Sequence, residues 1–315
     1  MSRPTSDPAQ DDPTGSWRDW LTDRVLRGLI WLALALPLRF RLWLMGRAVS
    51  RLIAPIAGYR ARAMANLAHV WPDMPEAEAR RIADAVADQA GRTMIENYGV
   101  AELRARMKDA DVTGDGLPAI EAARAEGRPV LFVTGHYGNF EAPRAALVAR
   151  GYQIGGLYRP MSNPFFNDHY ARNMHALSGP VFEQGRRGTM GLIRHVREGG
   201  MAVLLFDVYD SAGATFDFLG QPAPTLTSAA DIALKTGALL VPFFGIRQAD
   251  GLSFTCVFEA PIEHSDALSM TKEMSARLEA RIAQDPTQWF WIHRRWKPKR
   301  QMKRQRKRAA AKTGP

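Results

Sequence analysis

The stretch that decides the fold runs Val130-Leu131-Phe132-Val133-Thr134-Gly135-His136-Tyr137-Gly138-Asn139-Phe140-Glu141. An apolar run, typical of a buried strand, ends in Gly-His, and a short loop with a second glycine leads to a carboxylate that opens a helical pattern. This order predicts a strand, a tight turn and a helix start. Because functional sites in open α/β sheets collect at the carboxyl ends of strands, we expect one at this turn.

Strand and helix patterns alternate on both sides of this stretch. Upstream, residues 76–106 predict one long helix and residues 121–126 a short one. The alternation predicts an α/β fold with a mixed, largely parallel sheet flanked by helices. Strands are predicted at residues 130–135, 153–158, 180–183, 201–206, 239–246 and 252–258, and helices at 141–150, 165–177, 188–198, 227–236 and 269–284.

The N-terminal residues 20–57 are apolar with arginines between them. The uncharged stretch from 28 to 38 lies between Arg27 and Arg39, and as a helix it would cover about 16 Å, roughly half of a hydrocarbon core. It predicts an apolar membrane-anchoring helix, either a tilted span whose arginines snorkel or a helix in the interface, with a kink at Pro37. A buried core helix is the alternative.

Composition narrows the class of partner. The 315 residues carry a formal net charge of +10, with an isoelectric point near 10.0. This balance favours anionic partners such as a membrane surface, a phosphorylated lipid, an acidic carrier protein or nucleic acid. The single cysteine, Cys256, excludes an intrachain disulfide framework and is expected to be a small buried hydrophobe. The chain has no G-x-S-x-G elbow, P-loop or G-x-G-x-x-G, which disfavours serine hydrolases and nucleotide-dependent enzymes.

His136 and Glu141 form an H-x4-E pair at the mouth of the turn. A neutral imidazole acts as a general base near pH 7, and a carboxylate on its far nitrogen would orient it. Because no serine or cysteine nucleophile lies nearby, the pair predicts that a substrate hydroxyl supplies the nucleophile. The structural alternative is that His136 ends a strand and Glu141 favours a helix N-terminus. A metal site with Asp168, His169 and His175 is disfavoured by their spacing.

Other residues near strand ends are candidates for substrate binding. The amide of Gly138 and the side chain of Asn139 would either form an oxyanion hole or brace the loop. Arg159 follows a strand and would clamp a phosphate, or else form a surface salt bridge. Arg186, at a helix start, predicts anion contact or a solvated loop. Asp207 is a carboxylate at the end of an apolar strand.

A segment near the C-terminus interleaves Trp289, Trp291 and Trp296 with basic side chains. Such interleaving is typical both of single-stranded nucleic acid binding and of a membrane interface. The apolar N-terminal segment favours the membrane, and we expect no nucleic acid partner.

Several stretches together resemble the lauroyl/myristoyl acyltransferases of lipid A biosynthesis, within the glycerolipid-type acyltransferase superfamily. The block at residues 135–141 resembles the H-x4-D/E motif of that superfamily. In the family, the strand that ends before Asp207 is commonly followed by the dipeptide Asp-Gln. Here Val208 stands in place of the glutamine, so the resemblance implies no role for position 208. The similarity runs in order through the chain, at residues 60–72, 135–141, 158–164, 216–225 and 286–297.

The resemblance implies an O-acyltransferase that moves a fatty acyl chain from acyl-acyl carrier protein to a hydroxyl of a lipid A precursor, a phosphorylated glycolipid. It implies His136 as general base oriented by Glu141, with no metal or cofactor. It also implies a location at the cytoplasmic face of the bacterial inner membrane. The domains predicted are a disordered leader (1–19), a membrane anchor or interfacial helix (20–58), an acyltransferase domain (59–298) and a basic disordered tail (299–315).

Two other functions remain open from the sequence. One is an acyltransferase that uses acyl-CoA and another membrane acceptor, namely a phosphatidylinositol mannoside, a lysophospholipid or an aminolipid. The other is a non-catalytic membrane protein that binds anionic lipid or nucleic acid. The His-Glu pair in its glycine-framed loop favours either acyltransferase over the non-catalytic binding protein.

Overall fold

The computed structural model describes residues 14–297. Its strands form one seven-stranded sheet and a separate hairpin. The strands are β1 (Asp111–Thr113), β2 (Val130–Thr134), β3 (Ile154–Tyr158), β4 (Val181–Glu183), β5 (Met201–Leu205), β6 (Ala214–Phe218), β7 (Gln221–Thr225), β8 (Leu239–Arg247) and β9 (Phe254–Phe258). The sheet order is β1-β9-β8-β2-β5-β3-β4, and β6 pairs with β7.

Helices cover both faces of the sheet and form the N-terminal part of the described chain. A π-helical turn at Val49–Ile53 follows the second helix, and a 3-10 turn at Pro286–Gln288 follows the last. The α-helices are α1 (Trp17–Leu34), α2 (Leu38–Ala48), α3 (Ala54–Ile56), α4 (Tyr59–Val70), α5 (Glu76–Tyr98), α6 (Val100–Lys108), α7 (Leu117–Ala125), α8 (Ala142–Ala149), α9 (Pro164–Leu177), α10 (Arg186–Arg197), α11 (Ser228–Thr236) and α12 (Ala267–Gln284).

Strand β2 lies at the centre of the sheet and is buried along its whole length. It pairs in parallel with β5 on one side and with β8 on the other. Parallel strands covered on both faces read as continuous apolar runs, which explains the pattern of β2. Only β8 and β9 pair antiparallel within the described part of this sheet. The sheet is therefore mixed and largely parallel, as the sequence predicted.

Alternate residues of β2 belong to two different cores. Val130 and Phe132 pack with apolar residues of α6, α7 and α8. Leu131 and Val133 face the other way and pack with residues of α10, α11 and α12. Since side chains of a strand alternate between faces, one strand joins both layers, and its carboxyl end carries the predicted turn between them.

The six predicted strands and five of the predicted helices are present, with ends shifted by no more than two residues. The single helix predicted at residues 76–106 is instead two, α5 and α6, which meet at Gly99. Glycine has little helical preference, and here it ends α5 without interrupting the apolar pattern on which the prediction depended. The helix predicted at 121–126 starts earlier, as α7. The burial of Cys256 is confirmed.

The β6–β7 hairpin was not predicted as strands. Its two-residue turn is Leu219-Gly220, with φ of 53° and 73°, which are the positive values of a type I′ turn. Leucine is an uncommon first residue in such a turn, and prolines at positions 222 and 224 argue against a strand in any sequence pattern. The register of the pair is nevertheless continuous from Ala214 to Phe218.

The N-terminal apolar segment folds as several helices. Helix α1 ends at Leu34, and Pro37 stands before α2, so the predicted kink is a complete break between two helices. The Arg41 side chain does not snorkel: it is buried and donates to the carbonyl of Leu34 and to Glu102. Within residues 14–297, none of the helices has the length and hydropathy needed to cross a bilayer.

Two predictions concern the ends of the chain. Most of the leader predicted at 1–19 and the tail predicted at 299–315 lie outside the described residues. Within the described part, α1 already begins at Trp17, where Ser16 caps the helix by accepting the backbone N–H of Asp19. The end of the predicted leader is therefore helical.

The tryptophans near the C-terminus do not lie at a surface. Trp289, Trp291 and Trp296 are buried in the core beside α4 and α12. Their rings contact one another at centroid distances of 4.7 to 6.2 Å. The prediction of an interfacial aromatic belt at this segment is wrong, because an aromatic cluster in a core and one at a membrane share the same composition.

Candidate active site

His136 lies directly after β2, at the carboxyl edge of the sheet. Its backbone N–H donates to Oδ2 of Asp207 at 2.8 Å, and its ring Nδ1 lies 2.7 Å from Oδ1 of the same carboxylate. Asp207 follows β5, the parallel neighbour of β2, so the two strand ends bring these residues together. With Nδ1 engaged, Nε2 is the ring nitrogen that remains to accept a proton.

The Asp207 carboxylate is fully buried and accepts a third hydrogen bond, from Nε1 of Trp289 at 2.9 Å. Burial by itself would raise the pKa of this carboxyl. The charge and hydrogen bonds of His136 outweigh burial and hold the pKa of Asp207 well below its usual range. Asp207 is therefore ionised, and Nδ1 of His136 donates to it.

Glu141 has a different position from the one expected. Its carboxylate lies 3.2 Å from Nη1 of Arg144, and its backbone stands at the N-terminus of α8. Arg144 is itself buried and donates to the carbonyls of Ile154 and Ser178. The carboxylate hydrogen-bonded to the His136 ring is thus that of Asp207, whereas the sequence predicted Glu141. The H-x4-E spacing gave no signal for this partner, which comes from another strand.

Gly138 holds the loop against β8. Its φ is +55°, and a Cβ atom there would lie 2.0 Å from the carbonyl oxygen of Gly245, so only glycine fits. Its N–H donates to the carbonyl of Gln288 at 2.9 Å, and the next amide, of Asn139, donates to the carbonyl of Gly245 at 3.0 Å. Both amides are occupied, so the contacts favour loop bracing over an oxyanion hole.

The Asn139 side chain is buried and links the loop to a charged network under the site. Its Nδ2 donates to Glu96 at 3.1 Å, and its Oδ1 accepts the backbone N–H of Glu141 at 3.0 Å. Glu96 also accepts two bonds from Arg247, at 2.6 and 2.9 Å, and one from Arg106. A paired and hydrogen-bonded buried carboxylate of this kind fixes its neighbours, and here it fixes the loop that carries His136.

His293 is a site residue that the sequence did not single out. Its ring lies against the His136 ring in an edge-to-face arrangement, with centroids 4.3 Å apart. Burial first, and the neighbouring His136 second, lower the pKa of His293 to about 4. His293 is therefore neutral beside His136. Its distance along the chain, and its position in a segment interpreted as a basic surface, concealed it.

A large cavity opens beside His136. It has a volume of about 970 Å³, and its walls are almost entirely apolar. Phe140 and Phe290 line it next to the histidine, at ring centroid distances of 5.4 and 6.2 Å from the imidazole. Apolar side chains of α1, α2 and α5 form most of the remaining wall, and Phe166 and Tyr170 of α9 complete part of it. A cavity of this size and lining suits a long aliphatic chain.

The predicted arginines lie outside this cavity. Arg159 follows β3 and Arg186 begins α10, and both are exposed. The sheet order β2-β5-β3-β4 keeps them on the edge that carries His136, but progressively farther from it. As for a metal, no group of three His, Cys, Asp or Glu side chains between residues 14 and 297 is arranged to hold one. His169 stacks on Tyr98, and Asp168 pairs with Arg172.

Comparison with known proteins places these features in a family. A lipid A biosynthesis acyltransferase of Haemophilus influenzae is 26% identical over 288 residues, covering 88% of this chain and 86% of its own. The lipid A biosynthesis lauroyltransferase of Escherichia coli K12 is 27% identical over 292 residues, covering 89% and 92%. A phosphatidylinositol mannoside acyltransferase of Mycobacterium tuberculosis is 22% identical over 237 residues, covering 73% and 75%. The sequence model of the bacterial lipid A biosynthesis acyltransferases matches residues 12–298, and the chain belongs to that family.

Proposed function

We propose that this acyltransferase moves a fatty acyl chain from acyl-acyl carrier protein to a hydroxyl of a lipid A precursor. The observation that carries the proposal is the His136–Asp207 pair at the mouth of an apolar cavity of about 970 Å³. Family membership supports acyl transfer in lipid A biosynthesis. A general base with no nucleophile of its own beside it supports a hydroxyl as the acceptor, and the thioester donor is part of the proposal.

In the proposed reaction, Nε2 of His136 takes the proton from the acceptor hydroxyl. The freed oxygen attacks the thioester carbonyl, the C–S bond of the resulting tetrahedral intermediate breaks, and the imidazolium returns the proton to the leaving thiolate. Asp207 orients the ring and stabilises its charge, as the carboxylate of a catalytic triad does. The amides of Gly138 and Asn139 donate elsewhere, so we do not assign them to the oxyanion.

Glu141 has a positioning role in this mechanism. Its carboxylate meets the buried guanidinium of Arg144, and its backbone N–H is held by Asn139. These contacts fix the end of the loop at the start of α8, five residues after the base. The role of the H-x4-E pair is thus divided: His136 carries the proton, and Glu141 keeps its loop in place.

The cavity is the proposed site of the acyl chain. Its lining joins the ring of His136 to apolar residues of α1, α2 and α5, so a chain lying in it has its carbonyl end at the base. Phosphates of the acceptor would meet exposed basic residues on the same edge, among them Arg159. The net charge of +10 is consistent with anionic substrates and an acidic carrier.

We also propose that the N-terminal helices rest on the membrane. Side chains of α1, α2 and the segment after them expose large apolar groups, including Trp31, Trp43 and Ile56. Because none of the described helices meets the criteria for a bilayer span, an interfacial arrangement agrees best with the structure. A lipid acceptor and a soluble acidic carrier would meet at the cytoplasmic face of the bacterial inner membrane.

A direct assay tests the reaction. Purified protein in detergent receives a tetra-acylated lipid A precursor and acyl carrier protein loaded with chains of different length, and the product is read by mass spectrometry. We expect one added acyl chain, lost in a folded His136→Ala variant. Wild-type turnover by His136→Ala would refute the assignment of the base. Transfer only to a phosphatidylinositol mannoside would favour the activity named for the mycobacterial relative. Transfer only from acyl-CoA would refute the carrier-protein donor.

A further inference from the structure

The outer face of α10 carries a stripe of exposed side chains. Arg187, Met190, Arg194 and Arg197 recur at spacings of three and four residues, and Arg186 stands beside them. At 3.6 residues per turn these side chains fall within roughly 100° of the helix circumference. The opposite face, with Leu192 and Val196, is buried against the sheet. We call the five exposed residues the α10 stripe.

The four arginines of the stripe make no salt bridge and no side-chain hydrogen bond with any residue between 14 and 297. Helix α10 itself contains no aspartate or glutamate. Some exposed arginines on other helices are paired: Arg80 and Arg81 of α5 contact Glu76 and Glu78. The α10 stripe therefore keeps its positive charge available.

This arrangement does not favour the helix by itself. Arg186 and Arg187 occupy the first turn, where the helix dipole disfavours positive charge. Arg194 and Arg197 lie in the last turn, where the dipole favours positive charge, but they are three residues apart, where like charges repel by a few tenths of a kcal/mol. Nothing in the packing of α10 needs four arginines on its outer face. An acidic partner would offset both costs.

The stripe begins on the edge of the sheet that carries the active site. Strand β4 leads into α10, and the sheet order is β2-β5-β3-β4. At about 4.8 Å between neighbouring strands, the end of β4 lies roughly 15 Å from the end of β2, which carries His136. A body docked on α10 would be beside the site without covering it, and a flexible arm could deliver its reactive group.

The chemistry of the stripe favours a protein over a lipid surface. Met190 is its single large apolar side chain, and the exposed tryptophans and leucines of the described chain lie mainly on α1 and α2. From Arg187 to Arg197 the stripe extends about 15 Å, which suits an acidic helix better than one phosphate. We propose that the α10 stripe is the docking surface for the acidic protein that carries the acyl thioester, an inference that rests on the proposed function.

Charge reversal tests this surface. The variant Arg187→Glu/Arg194→Glu changes two exposed residues that make no described contact. Its matched control, Arg104→Glu/Lys108→Glu, makes the same change of charge on the exposed face of α6, a helix of the other layer. Both are assayed with dodecanoyl-acyl carrier protein and, separately, with dodecanoyl-CoA. Variation of ionic strength shows whether the difference is electrostatic.

With the carrier-protein donor we expect kcat/KM of the α10 variant to fall at least about tenfold, because steering by a charged surface contributes factors of this order. Its kcat at saturation and its rate with dodecanoyl-CoA should match the control. An α10 variant that equals the control with carrier protein would overturn the docking surface. So would an equal loss with both donors, or a loss confined to binding of anionic vesicles, which would assign the stripe to the membrane.

Binding without turnover separates this inference from the proposed function. Fluorescently labelled dodecanoyl-acyl carrier protein is titrated with wild type, the α10 variant and the control, and anisotropy is recorded. A wild type that binds the carrier through α10 but transfers nothing would contradict the reaction and leave the docking surface standing. A wild type that does not bind it would overturn the docking surface. The neutral variant Arg187→Ala/Arg194→Ala should lie between wild type and the reversal.

Discussion

One carboxylate holds His136 at two points. Asp207 accepts both the backbone N–H and the ring Nδ1, so the same group fixes the end of β2 and the rotation of the imidazole. Trp289 donates to that carboxylate from the core. Charge-assisted bonds in a buried site are the stronger kind, and three of them leave the ring little freedom. The fold itself therefore holds the His136 ring in this position.

We expect Asp207→Asn to lower kcat by about 10²- to 10⁴-fold, because a neutral amide neither selects the tautomer of His136 nor stabilises the imidazolium. Acyl transfer by the purified variant measures this. Asp210→Asn is the matched control, since Asp210 lies in the loop after β5 and its side chain accepts the backbone N–H of Ala212, away from His136. Glu141→Gln should cost no more activity than Asp207→Asn. A larger loss for Glu141→Gln would return the orienting role to Glu141.

His293 should make the stability of the protein depend on pH. The pKa of His293 is lowered to about 4 in the folded protein, by burial first and by His136 second, whereas unfolded histidine titrates near 6.5. Between these values the unfolded chain binds a proton that the folded chain does not. The free energy of unfolding should therefore fall as pH falls from about 6.5 towards 4, by up to about 3 kcal/mol.

Denaturant titrations across this pH range check the prediction. His293→Gln should flatten the slope of free energy against pH, and His264→Gln, at a histidine hydrogen-bonded to the carbonyl of Ala238, is the matched control. Asp207 affects stability in a lower pH range. Because its pKa is lowered in the folded protein, it adds to the free energy of unfolding above the usual carboxyl pKa, and this contribution is lost as the pH falls below it. Equal slopes for wild type and His293→Gln would show that His293 does not titrate in this way.

At the scale of elements, the sequence predicts well those features that depend on a single strand or helix. The apolar run of β2 and its glycine turn place His136 correctly, because burial on both faces leaves a continuous apolar pattern. The partner of His136 depends on which strand lies beside β2. The pairing of β2 with β5, which brings in Asp207, is a property of the sheet order and leaves no local signal. The Trp289 and His293 contacts are hidden for the same reason.

Helix α5 offers a test of the cavity. Thr93 on this helix donates to the carbonyl of Gly138 beside the site, and Ala90 lines the cavity about one turn away. We expect Ala90→Phe to shorten the preferred acyl chain, because the added ring occupies space that a chain would fill. Competition among donors of different length, read by mass spectrometry, measures the shift. Ala77→Phe, on the exposed start of α5, is the control. An unchanged preference would show that the chain lies elsewhere.

At the scale of the whole molecule, the structure has two surfaces of different chemistry, for which we propose different partners. The N-terminal helices expose apolar side chains, while α10 exposes arginines. The active site lies between them at the carboxyl edge of the sheet, and its cavity is walled by α1 and α2. In the proposed reaction, a lipid acceptor approaches over the apolar surface and a soluble donor over the basic one. In that reaction, the separation would let both substrates reach His136 without competing for the same face.

The apolar surface makes a prediction about membrane binding. Trp31 is 68% exposed and Ile56 87% exposed, and neither lines the cavity. Full burial of an apolar side chain of this size in lipid contributes about 1.5–3 kcal/mol, so Trp31→Ser/Ile56→Ser should weaken binding to anionic vesicles at least about tenfold. Flotation with phosphatidylglycerol-containing vesicles measures the partition. Transfer to a detergent-solubilised acceptor should persist, since the cavity and His136 are untouched.

Leu268→Ser provides the matched control for this surface. Leu268 is 54% exposed, but it lies on α12, which packs on α11 and the β6–β7 hairpin. If α1 to α3 form the membrane surface, removing an apolar side chain from α12 should leave vesicle binding unchanged. Equal losses for both variants would mean that exposed apolar groups act without regard to position. No loss for Trp31→Ser/Ile56→Ser would refute the interfacial arrangement, because that arrangement requires both side chains to be buried in lipid.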